Sequence, residues 1–142
     1  MVAHTRSVAP VIEASNALAT LLVTTKRTID TGERFFFDCF ESDLQRIVFA
    51  LQEQFSPSFL DVFVYQEGSP LPWSPTLSQA LSDLAIAGWI GRPDLQAPQL
   101  LQLKPAAEKG FDAMIAPFLA ERATALREIA DAFLHNIRVV VG

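Results

Sequence analysis

Side chains able to carry out acid–base, nucleophilic or metal chemistry are few and scattered in this chain. It has two histidines, His4 and His135, and one cysteine, Cys39, and these do not match any metal-ligand spacing. His135 follows Asp131 by four residues, which places both on one face of a helix, but no nucleophile accompanies the pair. We interpret the pair as a hydrogen bond on a helix surface near the helix end.

The remaining reactive groups have structural interpretations as well. Cys39 stands among phenylalanines, which is typical of a small buried hydrophobic residue. Asp38, Glu41 and Asp43 cluster where a helix is expected to begin, and negative charge in a first turn offsets the helix dipole. The six glycines are scattered, so no glycine-rich phosphate loop is formed. We therefore expect no catalytic, cofactor-binding or metal-binding residues, and a protein that is not an enzyme.

Composition indicates a folded protein. The chain has 142 residues, 50% of them hydrophobic and 19% charged, with a net charge of -5, which excludes an intrinsically disordered chain. Its length fits one domain spanning residues 1–142, and a single cysteine cannot form an intramolecular disulfide. No window approaches the roughly 18 consecutive apolar residues of a membrane span. We expect a cytoplasmic protein that does not enter the membrane.

Hydrophobic periodicity predicts two helices in the first part of the chain. The first spans residues 10–23 and is followed by a polar loop over 24–34. The second begins with Ser42 as N-cap, with Gln45 three residues later, and ends at Ser56-Pro57. The segment FFFDCF before it fits either a helix start or a short buried strand.

The second part alternates between short elements. The patterns predict, in chain order, a strand at 61–66, a stiff proline-rich loop at 68–75, a helix at 76–87, strands at 89–92 and 99–104, and helix from Pro105 to about Ile137, bent or split by Pro117. Gly88 occupies the position expected of a helix C-cap.

The run TLSQALSDLAIAGWIGRPDLQAPQLLQLKPAAEKGFDAM, ending at Met114, resembles winged-helix domains of the MarR and PadR kind. It shares their order of a leucine-paired helix, a glycine stop, a strand, a turn, a second strand and a new helix. LKPAAEKG is similar to the family's "LT-x-x-G" helix entry, with Lys104 in place of the usual threonine and Ala107 in place of the glycine. The resemblance implies that the helix ending near Gly88 is a recognition helix and that residues 89–104 form the wing.

The charges of this region disfavour the family's usual binding to DNA. Affinity for DNA comes largely from Lys and Arg near phosphates. The candidate recognition helix has no basic residue, and the wing offers Arg92 with Asp94 beside it. We therefore expect a protein partner here, with nucleic acid disfavoured. The residues assigned to partner contact are Leu71, Trp73, Gln79, Asp83 and Arg92.

Trp73 and the phenylalanines leave alternatives open. Trp73, between prolines, either covers the domain's own core or anchors a partner, since tryptophan is enriched at binding hot spots. The chain has 11 phenylalanines, most of them in its first half. Such a cluster forms either a rigid core or an apolar ligand pocket.

The last helix carries a heptad pattern. Its apolar residues are spaced 4, 3, 4, 3 and 4 and are Leu119, Ala123, Leu126, Ala130, Phe133 and Ile137. One interpretation is a seam between two subunits, formed by Leu119, Leu126, Phe133 and Ile137. The other is that this helix packs on its own domain.

These patterns together predict an α+β, mostly helical fold. A winged-helix-like region with a small antiparallel β-hairpin would cover residues 42–116, and a long C-terminal helix would cover 117–138. The function expected is a non-enzymatic regulatory or protein-interaction module that forms a homodimer. The alternatives are a DNA-binding transcription regulator and a protein that binds an apolar small molecule.

Overall fold

The computed structural model describes residues 13–29, 34–119 and 123–141, and within these ranges the fold is α+β and mostly helical, as the sequence predicts. The elements are α1 (Ala14–Ile29), β1 (Phe35–Asp38), α2 (Glu41–Phe55), a 3-10 turn (Phe59–Val62), α3 (Pro75–Ile86), β2 (Ile90–Gly91), β3 (Leu100–Leu103), α4 (Pro105–Met114), a 3-10 turn (Ala116–Phe118), α5 (Ala123–Asn136) and β4 (Arg138–Val141).

The four strands form one antiparallel sheet in the order β2-β3-β1-β4. Phe36 of β1 lies opposite Gln102 of β3 on one side and opposite Val140 of β4 on the other. Side chains alternate between the two faces of a strand, so Phe35 and Phe37 share the face that is directed into the core, where both are fully buried. The first four residues of the FFFDCF segment therefore form a short buried strand, one of the two alternatives left open by the sequence.

Helix α1 lies at the centre of the molecule and packs against α3, α4 and α5. It continues to Ile29, so the expectation of a loop from residue 24 is wrong. The hydroxyl of Thr25 donates to the Leu21 carbonyl at 2.7 Å, and Lys26 and Arg27 form ion pairs with α4. These contacts stabilise a polar sequence as helix, and the periodicity of apolar residues alone does not reveal them. Residues 10–12 of the predicted helix and 30–33 of the predicted loop lie outside the described ranges.

Two local predictions are also wrong. The N-cap of α2 is Phe40, whose N–H donates to the Asp43 carboxylate at 3.1 Å, so Ser42 lies inside the first turn. Residues 61–66 do not form a strand. Instead, the Ser58 hydroxyl accepts a hydrogen bond from the Leu60 N–H at 3.1 Å, and this cap starts a 3-10 turn at the point where a strand was expected.

The helix–hairpin region agrees closely with prediction. Helix α3 ends before Gly88, whose φ of +81° suits glycine, and β2 and β3 then pair through Ile90 and Leu103. The indole of Trp89 packs onto Gly110 of α4 so closely that a Cβ there would lie 2.1 Å from the ring. This contact anchors the hairpin to the following helix.

The C-terminal part differs from the prediction of one long helix over 117–138. A 3-10 turn at Ala116–Phe118 contains Pro117, α5 begins at Ala123, and the chain returns to the sheet as β4. The run of β-branched valines in β4 favours a strand, but no sequence pattern identifies β1 as its neighbour. Residues 42–116, to which the sequence assigns a winged-helix-like region, are consequently part of a larger core that also includes α1, α5, β1 and β4.

The four residues assigned to a dimer seam lie inside this core. Their exposed fractions are 6% for Leu119, 9% for Leu126, 0% for Phe133 and 8% for Ile137. The Phe133 ring lies 5.8 Å from that of Phe37, centroid to centroid. The assignment to a seam is therefore wrong, and the alternative interpretation of the heptad pattern, packing within the domain, is the one observed.

We expect Phe133→Ala to lower the free energy of unfolding by about 3–5 kcal/mol, because it removes a fully buried aromatic side chain. Chemical denaturation at two protein concentrations measures this loss. His135→Ala, on the exposed side of the same helix, is the matched control and should change stability by less than about 0.5 kcal/mol. A stable Phe133→Ala protein with reduced mass in solution would instead support the seam.

Candidate functional site

An open groove of about 630 Å³ lies between α3 and the β2–β3 hairpin, and we call it the α3 groove. Its walls come from four separate segments of the chain. The lining residues are Phe40, Glu41, Ser78, Leu81, Ser82, Ala85, Ile90, Gly91, Arg92, Pro98 and Leu101.

Helix α3, one wall of the groove, is fixed at its N-cap residue by a buried amide. Gln45 on α2 donates from Nε2 to the Ser74 carbonyl at 3.0 Å and accepts from the Ser74 N–H at 2.8 Å. The Ser74 hydroxyl in turn accepts from the N–H of Leu77 at 3.2 Å, which makes Ser74 the N-cap. Pro75 follows in the first turn, where its missing N–H costs nothing.

The hairpin wall is held by Arg92. Its guanidinium donates to the Cys39 carbonyl at 3.1 Å and to the Pro98 carbonyl at 2.9 Å. Arg92 thus joins the hairpin to the connection between β1 and α2, a positioning role that the sequence did not reveal. Two of its N–H groups are therefore engaged by the protein itself.

The groove combines an apolar floor with polar groups at its sides. Leu81, Ile90 and Leu101 are buried beneath it, and Phe40 is 52% exposed at its edge. The Oε2 atom of Glu41 is buried and has no hydrogen-bond partner among the described residues.

The outer face of α3 carries two of the residues assigned to partner contact. Gln79 and Asp83 are both exposed, and the Gln79 Nε2 donates to the Asp83 Oδ1 at 2.9 Å. Ile86, near the end of the same helix, is 82% exposed. This face is therefore neutral to acidic and partly apolar.

Leu71 and Trp73 lie in the loop before α3. Arg92 lies in the hairpin that follows the opposite end of α3. Leu71 is 66% exposed, whereas Trp73 is half-buried and its carbonyl accepts from the Gln66 N–H at 2.9 Å. A helix of 12 residues is about 18 Å long, so the structure does not bring the five assigned residues together. It brings Arg92 together with Phe40, Glu41 and Ser82, which sequence reasoning missed as binding residues because they are distant along the chain.

Two basic side chains of α1 are engaged in ion pairs. Lys26 pairs with Glu108, and Arg27 donates to both oxygens of Asp112, at 2.8 and 2.9 Å. The hydrogen bond from Arg27 lowers the pKa of Asp112. Partial burial acts to raise the pKa of Glu108, but hydrogen bonds from Lys26 and Arg27 outweigh it and lower that pKa. These cations fasten α1 to α4 and do not form a surface for phosphates.

The groups with reactive potential are placed as structural residues. Cys39 is 3% exposed, and burial raises the pKa of its thiol to about 11, so it is not an activated thiolate. The Nδ1 of His135 lies 2.7 Å from the backbone carbonyl of Asp131, a helix-surface hydrogen bond of the kind expected, although the carboxylate is not its partner. The described residues include no cluster of three metal-ligating side chains.

Comparisons with known protein families, curated proteins and solved structures find no match to this chain. Among the described helices, none is both long and apolar enough to span a membrane.

We expect Arg92→Ala to lower the free energy of unfolding by about 1–3 kcal/mol, since it leaves two carbonyls without their charged donor. Amide hydrogen exchange should increase first in β2 and β3. Arg46→Ala is the matched control, because Arg46 is exposed and lies 3.7 Å from Asp43. Equal effects of the two variants would contradict the positioning role of Arg92.

The ion pairs between α1 and α4 predict a loss of stability in acid. Folding lowers the pKa values of Glu108 and Asp112, so their contribution is present above the ordinary values near 4 and is lost as pH falls through the lowered folded values. Urea unfolding between about pH 6 and pH 2 should therefore show a smaller acid-induced loss for Glu108→Gln/Asp112→Asn than for the wild type. The control is Glu128→Gln/Asp131→Asn on α5. If both double variants reduce the acid-induced loss of stability equally, that loss does not come from the α1–α4 ion pairs.

Proposed function

We propose that the protein is a non-enzymatic, winged-helix-like interaction module that acts as a homodimer in the cytoplasm and binds a partner protein in the α3 groove. The order of elements supports the winged-helix assignment. A leucine-paired helix, a stop at Gly88, two antiparallel strands and a new helix follow one another as the resemblance implies.

The observation that carries the proposal is the chemistry of α3 and the hairpin. Residues 75–104 contain two acids, Asp83 and Asp94, and two bases, Arg92 and Lys104, so their net charge is zero. Arg92 already bonds two carbonyls, and α3 itself has no basic side chain. A groove with an apolar floor, an exposed phenylalanine at its edge and polar groups at its sides suits a protein segment that presents an apolar side chain flanked by polar groups.

The alternative of a DNA-binding regulator draws support from the exposure of α3 next to a hairpin. Its weakness is electrostatic, because duplex binding requires several cations directed at phosphates. The alternative of an apolar ligand bound among the phenylalanines is disfavoured by their packing. Phe35 and Phe37 meet edge to face at 4.9 Å between ring centroids, and Phe37 continues to Phe133, which is the arrangement of a filled core.

Site-specific photo-crosslinking in cells tests the proposal. A benzophenone side chain placed at Ala85, on the groove, should crosslink to a discrete protein, because the partner would lie over this position. The same group at Glu128, exposed on α5, is the matched control and should not give that product. Loss of the product in Phe40→Ala would support binding over the exposed edge of the groove.

Titration of mixed-sequence duplex DNA by fluorescence anisotropy tests the alternative. We expect no binding at low salt. These conditions are the most sensitive, because a protein that contacts 6–10 phosphates binds at least roughly 10³-fold more tightly at low salt than at moderate salt. Binding that weakens steeply with added salt, together with no protein crosslink at Ala85, would overturn the proposal in favour of the DNA-binding regulator.

A further inference from the structure

Strand β4 forms one edge of the sheet. It pairs with β1 on one side, and no strand of the described ranges pairs with its other side. Val140 is 42% exposed and Val141 is 52% exposed, although both are large apolar residues. An exposed edge of this kind is a template for a further strand.

The backbone groups of β4 that point outward can be identified from the hydrogen bonds of β1. The Cys39 N–H donates to the Gln99 carbonyl at 2.9 Å, so Cys39 and Phe37 direct their backbone groups towards β3. Phe36 and Asp38 then direct theirs towards β4.

The register carries this alternation into β4. Phe36 lies opposite Val140 and Asp38 opposite Arg138, so Val140 and Arg138 bond to β1. Val139 and Val141 therefore direct their N–H and C=O groups away from the sheet. These outward groups need an extended chain or water as their partner.

We propose that β4 pairs antiparallel with β4 of a second copy of this chain, with Val140 on the two-fold axis. This inference deepens the homodimer of the proposed function and locates its interface. In this register Val139 lies opposite the partner's Val141, and Val141 lies opposite the partner's Val139. The two pairs supply about four backbone hydrogen bonds.

A second copy suits this edge because the strand is complementary to itself. The two Val140 side chains face each other at the close spacing of a non-hydrogen-bonded pair, about 4.5 Å between Cα atoms. They extend the apolar surface that Val140 shares with Phe36 and Leu100 on the outer side of the sheet. Arg138 of each copy lies at an opposite end of the new ribbon, so like charges stay apart.

The strand also lacks the features that usually prevent a further strand from pairing with a sheet edge. It has no lysine, no proline and no inward charge, and Arg138 at its start is its one charged residue. The interface is nevertheless short, because four residues bury less than the roughly 800 Å² per partner of a standard interface. The dimer should therefore be weak, and its fraction should rise with protein concentration.

Disulfide trapping tests the register. Val140→Cys should form a disulfide-linked dimer under mild oxidation, because its Cα atom faces its own symmetry mate within the 4.4–6.8 Å that a disulfide requires. Val141→Cys is the matched control: it is more exposed, but its own mate lies farther along the ribbon. We expect about tenfold more linked dimer from Val140→Cys. The native Cys39 is 3% exposed and does not compete.

Equal trapping of the two variants would indicate random collision and overturn the proposal. Failure of both to trap, with sedimentation of the unmodified protein as a 15.6 kDa monomer at every concentration, would overturn it as well.

Proline substitution tests the backbone bonds independently. Val139 also packs against the core, so Val139→Ala, which loses the side chain but keeps the N–H, is the matched control. Val139→Pro removes the outward N–H as well, so it should abolish the concentration-dependent dimer that Val139→Ala retains. Val140→Pro removes an inward N–H that bonds β1, and it should destabilise the monomer itself. If Val139→Pro destabilises the monomer more than Val139→Ala does and the two variants have the same mass in solution at every concentration, the outward N–H is bonded within the same chain and the proposal is wrong.

The experiments can refute partner binding in the α3 groove and dimerisation through β4 independently of each other. A Val139→Pro monomer that still crosslinks through a benzophenone at Ala85 would show that partner binding does not need the second copy. A trapped Val140→Cys dimer with no crosslink at Ala85 would support the β4 interface and contradict partner binding in the α3 groove.

Discussion

The need to enclose α1 determines the rest of the structure. Seven consecutive residues of this helix, 17–23, are buried, so it has no face directed to solvent along two turns. A helix apolar around its whole circumference must be surrounded by other elements. Helices α3, α4 and α5 supply those surfaces, and the heptad pattern of α5 follows from this task. The pairs of Lys26 and Arg27 with α4 then fix the axial position of the helix at its polar end.

Much of the local structure could be predicted from the sequence, and most of the long-range structure could not. Helix α3, Gly88 and the hairpin follow from capping residues, a positive φ and alternation, all of which act within a few residues. The end of α1 and the 3-10 turn at Phe59 depend on ion pairs and caps that compete with propensity. Strand β4 depends on β1, about 100 residues earlier in the chain, and no local pattern specifies that pairing.

The candidate site shows the same division. The position of α3 beside a β-hairpin could be predicted, but the groove draws its walls from 40–41, 78–85, 90–92 and 98–101, which only the fold brings together. Glu41 was assigned to the first turn of α2, which is correct, yet the same residue also lines the groove. Arg92 was assigned to partner contact from its isolated charge, whereas the structure gives two of its N–H groups to carbonyls of its own chain.

The buried amide of Gln45 has a consequence for how the groove binds. It bonds both the N–H and the C=O of Ser74, one turn along α2 from Glu41 and directly before α3. The two helical walls are therefore locked at a fixed separation when the protein folds, and the conformational entropy of ordering them is lost at that stage. A segment that bound as proposed would meet a preorganised groove, so ordering the walls would add little to the entropic cost of association. Selectivity would then depend on the shape of the segment more than on its ability to remodel the protein.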